Sequence, residues 1–124
     1  MAQAYIVAAV RTAGGRRGGR LAGWHPVDLA AQVLDELVRR TGLDPALVED
    51  VIMGCVSQVG EQSTNVARNA VLASSLPESV PGTSIDRQCG SSQQALHFAA
   101  QAVMSGTAAQ LRSVIRSVLP APSS

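Results

Sequence analysis

Val80-Pro81-Gly82-Thr83-Ser84-Ile85-Asp86-Arg87-Gln88-Cys89-Gly90-Ser91-Ser92-Gln93-Gln94-Ala95 changes composition at its centre, and the fold reading turns on that change. The β-branched Val80, Thr83 and Ile85 predict a buried strand. The Ala-rich run from Gln93 to Met104 predicts a helix. Cys89 then sits where the strand runs into the helix. At such a junction a thiol faces unpaired backbone N–H groups and the positive end of the helix dipole, which favour thiolate over thiol. A thiolate is the form that attacks acyl carbonyls, so Cys89 is a candidate nucleophile. Gly90 would let a substrate approach the backbone, and its N–H could hold an oxyanion. The residues alone leave open a small buried cysteine beside a glycine.

Working outward, strand-like and helix-like segments alternate, which predicts an α/β architecture with a parallel-rich sheet and helices on both faces. The apolar runs 4–10 and 50–56 are of the kind that strands covered on both faces display. Between them the first helix is the clearest element. His25 is at its N-cap and Pro26 at its first position. Val27, Ala30, Leu34, Leu37 and Val38 recur at helical spacing up to Gly42 at the C-terminal cap. A short helical turn is predicted at Asp44-Pro45-Ala46-Leu47, with Asp as the cap.

These segments, in this order, resemble the start of the thiolase family. The resemblance rests on Tyr5-Ile6-Val7-Ala8-Ala9-Val10-Arg11-Thr12, Asp50-Val51-Ile52-Met53-Gly54-Cys55-Val56, Asn65-Val66-Ala67-Arg68-Asn69-Ala70-Val71-Leu72 and Ser84-Ile85-Asp86-Arg87-Gln88-Cys89-Gly90-Ser91-Ser92. It covers residues 4 to about 107, and its specificity lies in the order of separated motifs. It implies an acyltransferase in which Cys89 carries an acyl group between coenzyme A thioesters, by 3-oxoacyl-CoA thiolysis or acetyl-CoA condensation. Coenzyme A would be a co-substrate, with no tightly bound cofactor, and the assembly a homo- or hetero-oligomer. The Gln-Cys-Gly-Ser-Ser-Gln-Gln variant resembles thiolases of lipid and sterol side-chain breakdown. Ketoacyl synthases share the fold and a junction cysteine, but Arg11-Thr12 and Cys-Gly-Ser-Ser favour thiolase.

The resemblance also marks departures. The family commonly has a proline soon after Arg-Thr; here Ala13 and two glycines follow. The family's Gly-His-Pro base motif and Cys-x-Gly acid/base motif do not occur in the sequence, since His25 precedes Pro26 but follows Trp24. His97 lies about two turns beyond Cys89 on the same helix and reads as a packed or partly exposed side chain. Cys55 reads as a strand core residue. The chain is therefore expected to be a truncated and catalytically impaired thiolase, with a partial N-terminal domain over 1–107 and a divergent tail over 108–124. In that tail Leu111, Val114, Ile115 and Val118 share a helical face, which fits an amphipathic helix or out-of-frame coding equally. The alternative is a non-catalytic remnant or interaction subunit pairing with a complete thiolase.

Composition excludes several other classes. With 124 residues and 46% hydrophobic against 15% charged side chains, the chain can bury one modest core. A net charge of +1 gives no electrostatic case for nucleic acid or an anionic membrane. The loop Gly14-Gly15-Arg16-Arg17-Gly18-Gly19-Arg20 lacks the aromatic interleaving of an RNA contact and the spacing of a phosphate cradle, and reads as mobile. Two cysteines make no disulfide framework, and no Cys/His cluster suggests a metal. A reducing, cytoplasmic setting is expected, with no signal peptide or membrane span.

Overall fold

A computed structural model of the chain describes residues 3–106. Helix α1 spans Pro26–Thr41, strand β1 Val51–Gly54, helix α2 Val66–Ala73, strand β2 Gly82–Ile85 and helix α3 Ser91–Ser105. Single 3-10 turns occupy Pro45–Leu47 and Gly60–Gln62. The ends of α1 follow from its sequence. His25 Nδ1 accepts from the Val27 N–H, and Gly42 closes the helix in the left-handed region at φ 63°, its N–H donating to the Val38 carbonyl. Asp44 caps the next turn through Ala46 N–H, as its position before Pro45 predicts.

The two strands run parallel, with Val51 opposite Gly82 and Gly54 opposite Ile85. Alternation along β1 sends its side chains to two separate cores. Val51 and Met53 join Ala30 and Leu34 of α1 and Val66, Ala67, Ala70 and Val71 of α2. Ile52 faces the other way and packs with Ile85, Ala95 and Ala99. Helices thus cover both faces of the pair, which is the layered α/β arrangement expected.

Close approach of helix backbone to strand needs two glycines. A Cβ on Gly82 would stand 2.6 Å from the Arg68 nitrogen, and one on Gly54 only 2.3 Å from the Ser92 nitrogen. A polar clamp fixes the first contact. Asn65 Oδ1 caps α2 by accepting from the Arg68 N–H (3.1 Å) and also accepts from Ser84 Oγ (2.9 Å), while its Nδ2 donates to the Gly82 carbonyl (2.7 Å). Start of α2 and body of β2 are therefore one unit.

One sequence expectation comes out differently. Residues 4–10 form no strand: Tyr5, Ile6 and Val7 are about three-quarters exposed, at 77%, 75% and 74%. An apolar run becomes a strand only when a neighbour completes its hydrogen-bond ladder, and among the described residues β1 and β2 pair only with each other. Helix α3 buries Ser91, Ala95 and Ala99, the two alanines packing with Ile52 and Ile85 of the sheet, and leaves Phe98 and Met104 exposed. In the largely exposed segment that contains the Gly14–Arg20 loop, Gly19 N–H donates to the Arg16 carbonyl (2.9 Å) and Ala22 N–H to the Gly19 carbonyl (3.1 Å). The amphipathic pattern over 111–118 lies outside the described residues.

Candidate active site

The C-terminal ends of the two parallel strands bring different cysteines to one end of the sheet, where ligands characteristically bind in open α/β sheets. Cys55 follows β1 and Cys89 follows β2, and the Cys55 N–H donates to the Ile85 carbonyl (2.9 Å). Their environments are opposite.

Cys55 is buried, and its Sγ donates to Gln62 Oε1 at 3.2 Å. Burial pushes its thiol above the usual cysteine range, and the charge of Asp86 adds to the effect. Cys55 is a core group, as read from the sequence, although it lies one residue past the end of β1 and not within the strand. Cys89 is exposed. It stands one residue before Gly90, the N-cap of α3, so a reagent from solvent can meet its sulfur at the start of a fifteen-residue helix.

Backbone geometry at Cys89 is unusual. Its φ is 59°, one of two positive values among the described non-glycine residues. Left-handed backbone in a residue with a Cβ is disfavoured and recurs at functional sites. The cause is a tight turn over Arg87–Gly90, closed by the Gly90 N–H donating to the Arg87 carbonyl at 2.8 Å. Cys89 occupies the third position of that turn, where a positive φ is normally supplied by glycine. Gly90 itself has φ −131°, an ordinary value. Its N–H is engaged within the turn, so the oxyanion role expected of it would require that hydrogen bond to open. A Cβ there would meet nothing nearer than 3.9 Å. What Gly90 contributes in this conformation is an open approach to the sulfur.

Two residues that sequence reasoning missed support the turn. Ser91 is buried, and its Oγ both accepts from the Arg87 N–H (3.0 Å) and donates to the Arg87 carbonyl (2.9 Å). Gly54 lets the first turn of α3 rest on the end of β1. Flanking side chains pair locally: Arg87 Nη1 donates to Gln94 Oε1 (2.8 Å), and Gln88 Nε2 to Asp86 Oδ1 (3.0 Å). His97 is exposed, and His25 is engaged as the cap of α1, remote in sequence from the cysteine turn. Among the described residues no His, Cys, Asp and Glu cluster could hold a metal ion. No described helix is long and apolar enough to cross a membrane.

Fold and site together define an α/β protein with an exposed cysteine on a constrained turn between a parallel strand and a helix. The thiolase N-terminal domain family matches residues 4–111, and the chain belongs to the thiolase family. It is 60% identical over 108 residues to a steroid 3-ketoacyl-CoA thiolase of Mycobacterium tuberculosis, across 87% of this chain and 26% of that protein. It is 50% identical over 107 residues to a beta-ketoadipyl-CoA thiolase of Escherichia coli, across 86% of this chain and 27% of the relative. The crystal structure of the Bacillus anthracis acetyl-CoA acetyltransferase superposes with a TM-score of 0.63 at 41% identity, over 76% of this chain and 22% of that one. The chain thus spans about a quarter of the length of these relatives.

Proposed function

We propose that the chain carries the nucleophile segment of a thiolase-type acyltransferase, with Cys89 as the acyl-accepting thiol and coenzyme A as co-substrate. In the thiolytic direction the Cys89 thiolate adds to the 3-oxo carbonyl of a 3-oxoacyl-CoA. The bond between that carbon and its neighbour breaks, its electrons leave with acetyl-CoA, and that fragment takes up a proton. The thiol of free coenzyme A then removes the acyl group from Cys89, and condensation is the reverse. The observation that carries this reading is the exposed thiol at positive φ on the turn into α3. The identity to a steroid 3-ketoacyl-CoA thiolase supports a lipid- or sterol-derived acyl group. A reducing, cytoplasmic setting would keep both cysteines as thiols.

The 124 residues include neither a Gly-His-Pro nor a Cys-x-Gly motif. General acid–base assistance is worth roughly 10²–10⁴-fold, so this chain by itself should turn over slower than a complete thiolase by at least that factor. A thiolysis assay on the purified chain tests this, with Cys89→Ala as control. Slow, Cys89-dependent release of acetyl-CoA supports the reading, and turnover unaffected by Cys89→Ala refutes it. A second reading, pairing with a complete thiolase subunit, draws on the exposed Tyr5, Ile6, Val7, Phe98 and Met104. Co-purification from native cells tests that; a chain recovered only as a monomer removes it.

A further inference from the structure

We infer that Ser91 is a positioning residue for the Cys89 nucleophile: its hydroxyl locks the turn that holds the cysteine in the left-handed region at the start of α3. The inference rests on the reading of Cys89 as nucleophile. Three observations carry it. Ser91 Oγ is bonded to both backbone groups of Arg87, accepting at 3.0 Å and donating at 2.9 Å. The same Arg87 carbonyl receives the Gly90 N–H at 2.8 Å, so Gly90 and Ser91, which follow Cys89, are both tied back to the backbone of Arg87 at the start of the turn. And Ser91, at 7% exposure, is one of two buried polar side chains among the described residues, the other being the Gln62 beside Cys55.

Cys89 is not an αL residue by preference, so the turn needs an outside constraint to keep φ at 59°. Without the Ser91 hydroxyl, Cys89 can relax toward negative φ, which swings its Cβ and sulfur away from the helix start. Buried loss of that hydroxyl also leaves the Arg87 N–H without the acceptor it has here, which opens the turn further. Both hydrogen bonds of the Ser91 hydroxyl go to Arg87 and not to Cys89, so the effect passes through the Arg87–Gly90 backbone.

The test is alkylation of the full chain by iodoacetamide, read separately at Cys89 and Cys55 by peptide mass spectrometry, for wild type, Ser91→Ala and Ser91→Thr. Ser91→Ala should slow labelling of Cys89 about fivefold, the factor set by one hydrogen bond of ordinary net strength. Cys55 should stay protected, because its burial reports the integrity of the core, and Ser91→Thr should restore the Cys89 rate. An unchanged or faster Cys89 rate in Ser91→Ala, or a slowing that Ser91→Thr does not reverse, overturns the inference. If Ser91→Ala unfolds the chain, Cys89→Gly is added to it: a glycine meets the turn unaided, so the double variant should fold, and its failure to do so overturns the inference. Wild-type Cys89 reacting no faster than the same cysteine in a short peptide defeats the nucleophile reading itself and the inference with it. A fast wild type with an equally fast Ser91→Ala defeats the inference alone.

Discussion

Gly54→Ala is the substitution whose effect is most directly set by the structure. A Cβ at Gly54 would lie 2.3 Å from the Ser92 nitrogen, 2.5 Å from the Ser91 carbonyl carbon and 2.6 Å from the Ser92 Cα. All three are backbone atoms, so no side-chain rotation relieves the overlap. Ordinary contact begins at 3.4 Å, so β1 and the first turn of α3 must separate by about 1 Å. The strand is pinned by its ladder to β2 and by the Cys55 N–H on the Ile85 carbonyl, while α3 is pinned by Ala95 and Ala99 against Ile52. Overpacking of this kind costs about 1–3 kcal/mol, and three backbone overlaps place Gly54→Ala near the upper end. Urea denaturation followed by circular dichroism gives the change. Gly90→Ala is the matched control, because its Cβ meets nothing nearer than 3.9 Å and its φ is ordinary. Equal stability of the two variants would refute the reasoning that backbone contact at Gly54 seats the cysteine turn.

The positive φ of Cys89 makes Cys89→Gly more stable than Cys89→Ala by about 1 kcal/mol in the same denaturation experiment, and the reverse order would mean the turn is not left-handed in solution. Asn65→Ala removes the cap of α2 and the two bonds to β2, and should cost about 2 kcal/mol; a loss below about 0.5 kcal/mol would show that the clamp is idle. Burial holds the Asp50 carboxyl above the usual aspartate range, with the Val51 N–H opposing. A raised carboxyl favours the native state below the unfolded value and loses that contribution as pH rises through the folded one. Asp50→Asn should therefore raise the melting temperature at pH 7, with the gain gone below about pH 4; a gain independent of pH would assign the effect to something other than the charge.

How far the sequence foretells this structure differs from element to element. His25, Pro26 and Gly42 delimit α1 because caps are local chemistry, satisfied within a few residues of the chain. Asp44-Pro45 marks its 3-10 turn for the same reason. The apolar run at 4–10 misleads, because a strand is made by its neighbour as much as by its own residues. At the site, Cys89 before an Ala-rich helix is visible as a junction, and the exposed thiol agrees with it. Its left-handed backbone is not visible, since cysteine carries no preference for that region and the constraint comes from Ser91. Nor are Gly54 and Asn65, whose partners lie 38 and 17 residues away and leave no local pattern. The sequence separates Cys55 from Cys89 as apolar strand run against helix junction; in the structure both follow strands, and burial of one and exposure of the other make the chemical difference.

The most direct measurement is acyl capture: the purified chain incubated with acetyl-CoA, digested, and each cysteine peptide weighed. Attack by Cys89 forms a thioester and releases coenzyme A, so the account expects an acetyl adduct at Cys89 that hydroxylamine removes, none at the buried Cys55, and none in Cys89→Ala. An unmodified Cys89, or acetylation of both cysteines alike, would contradict it.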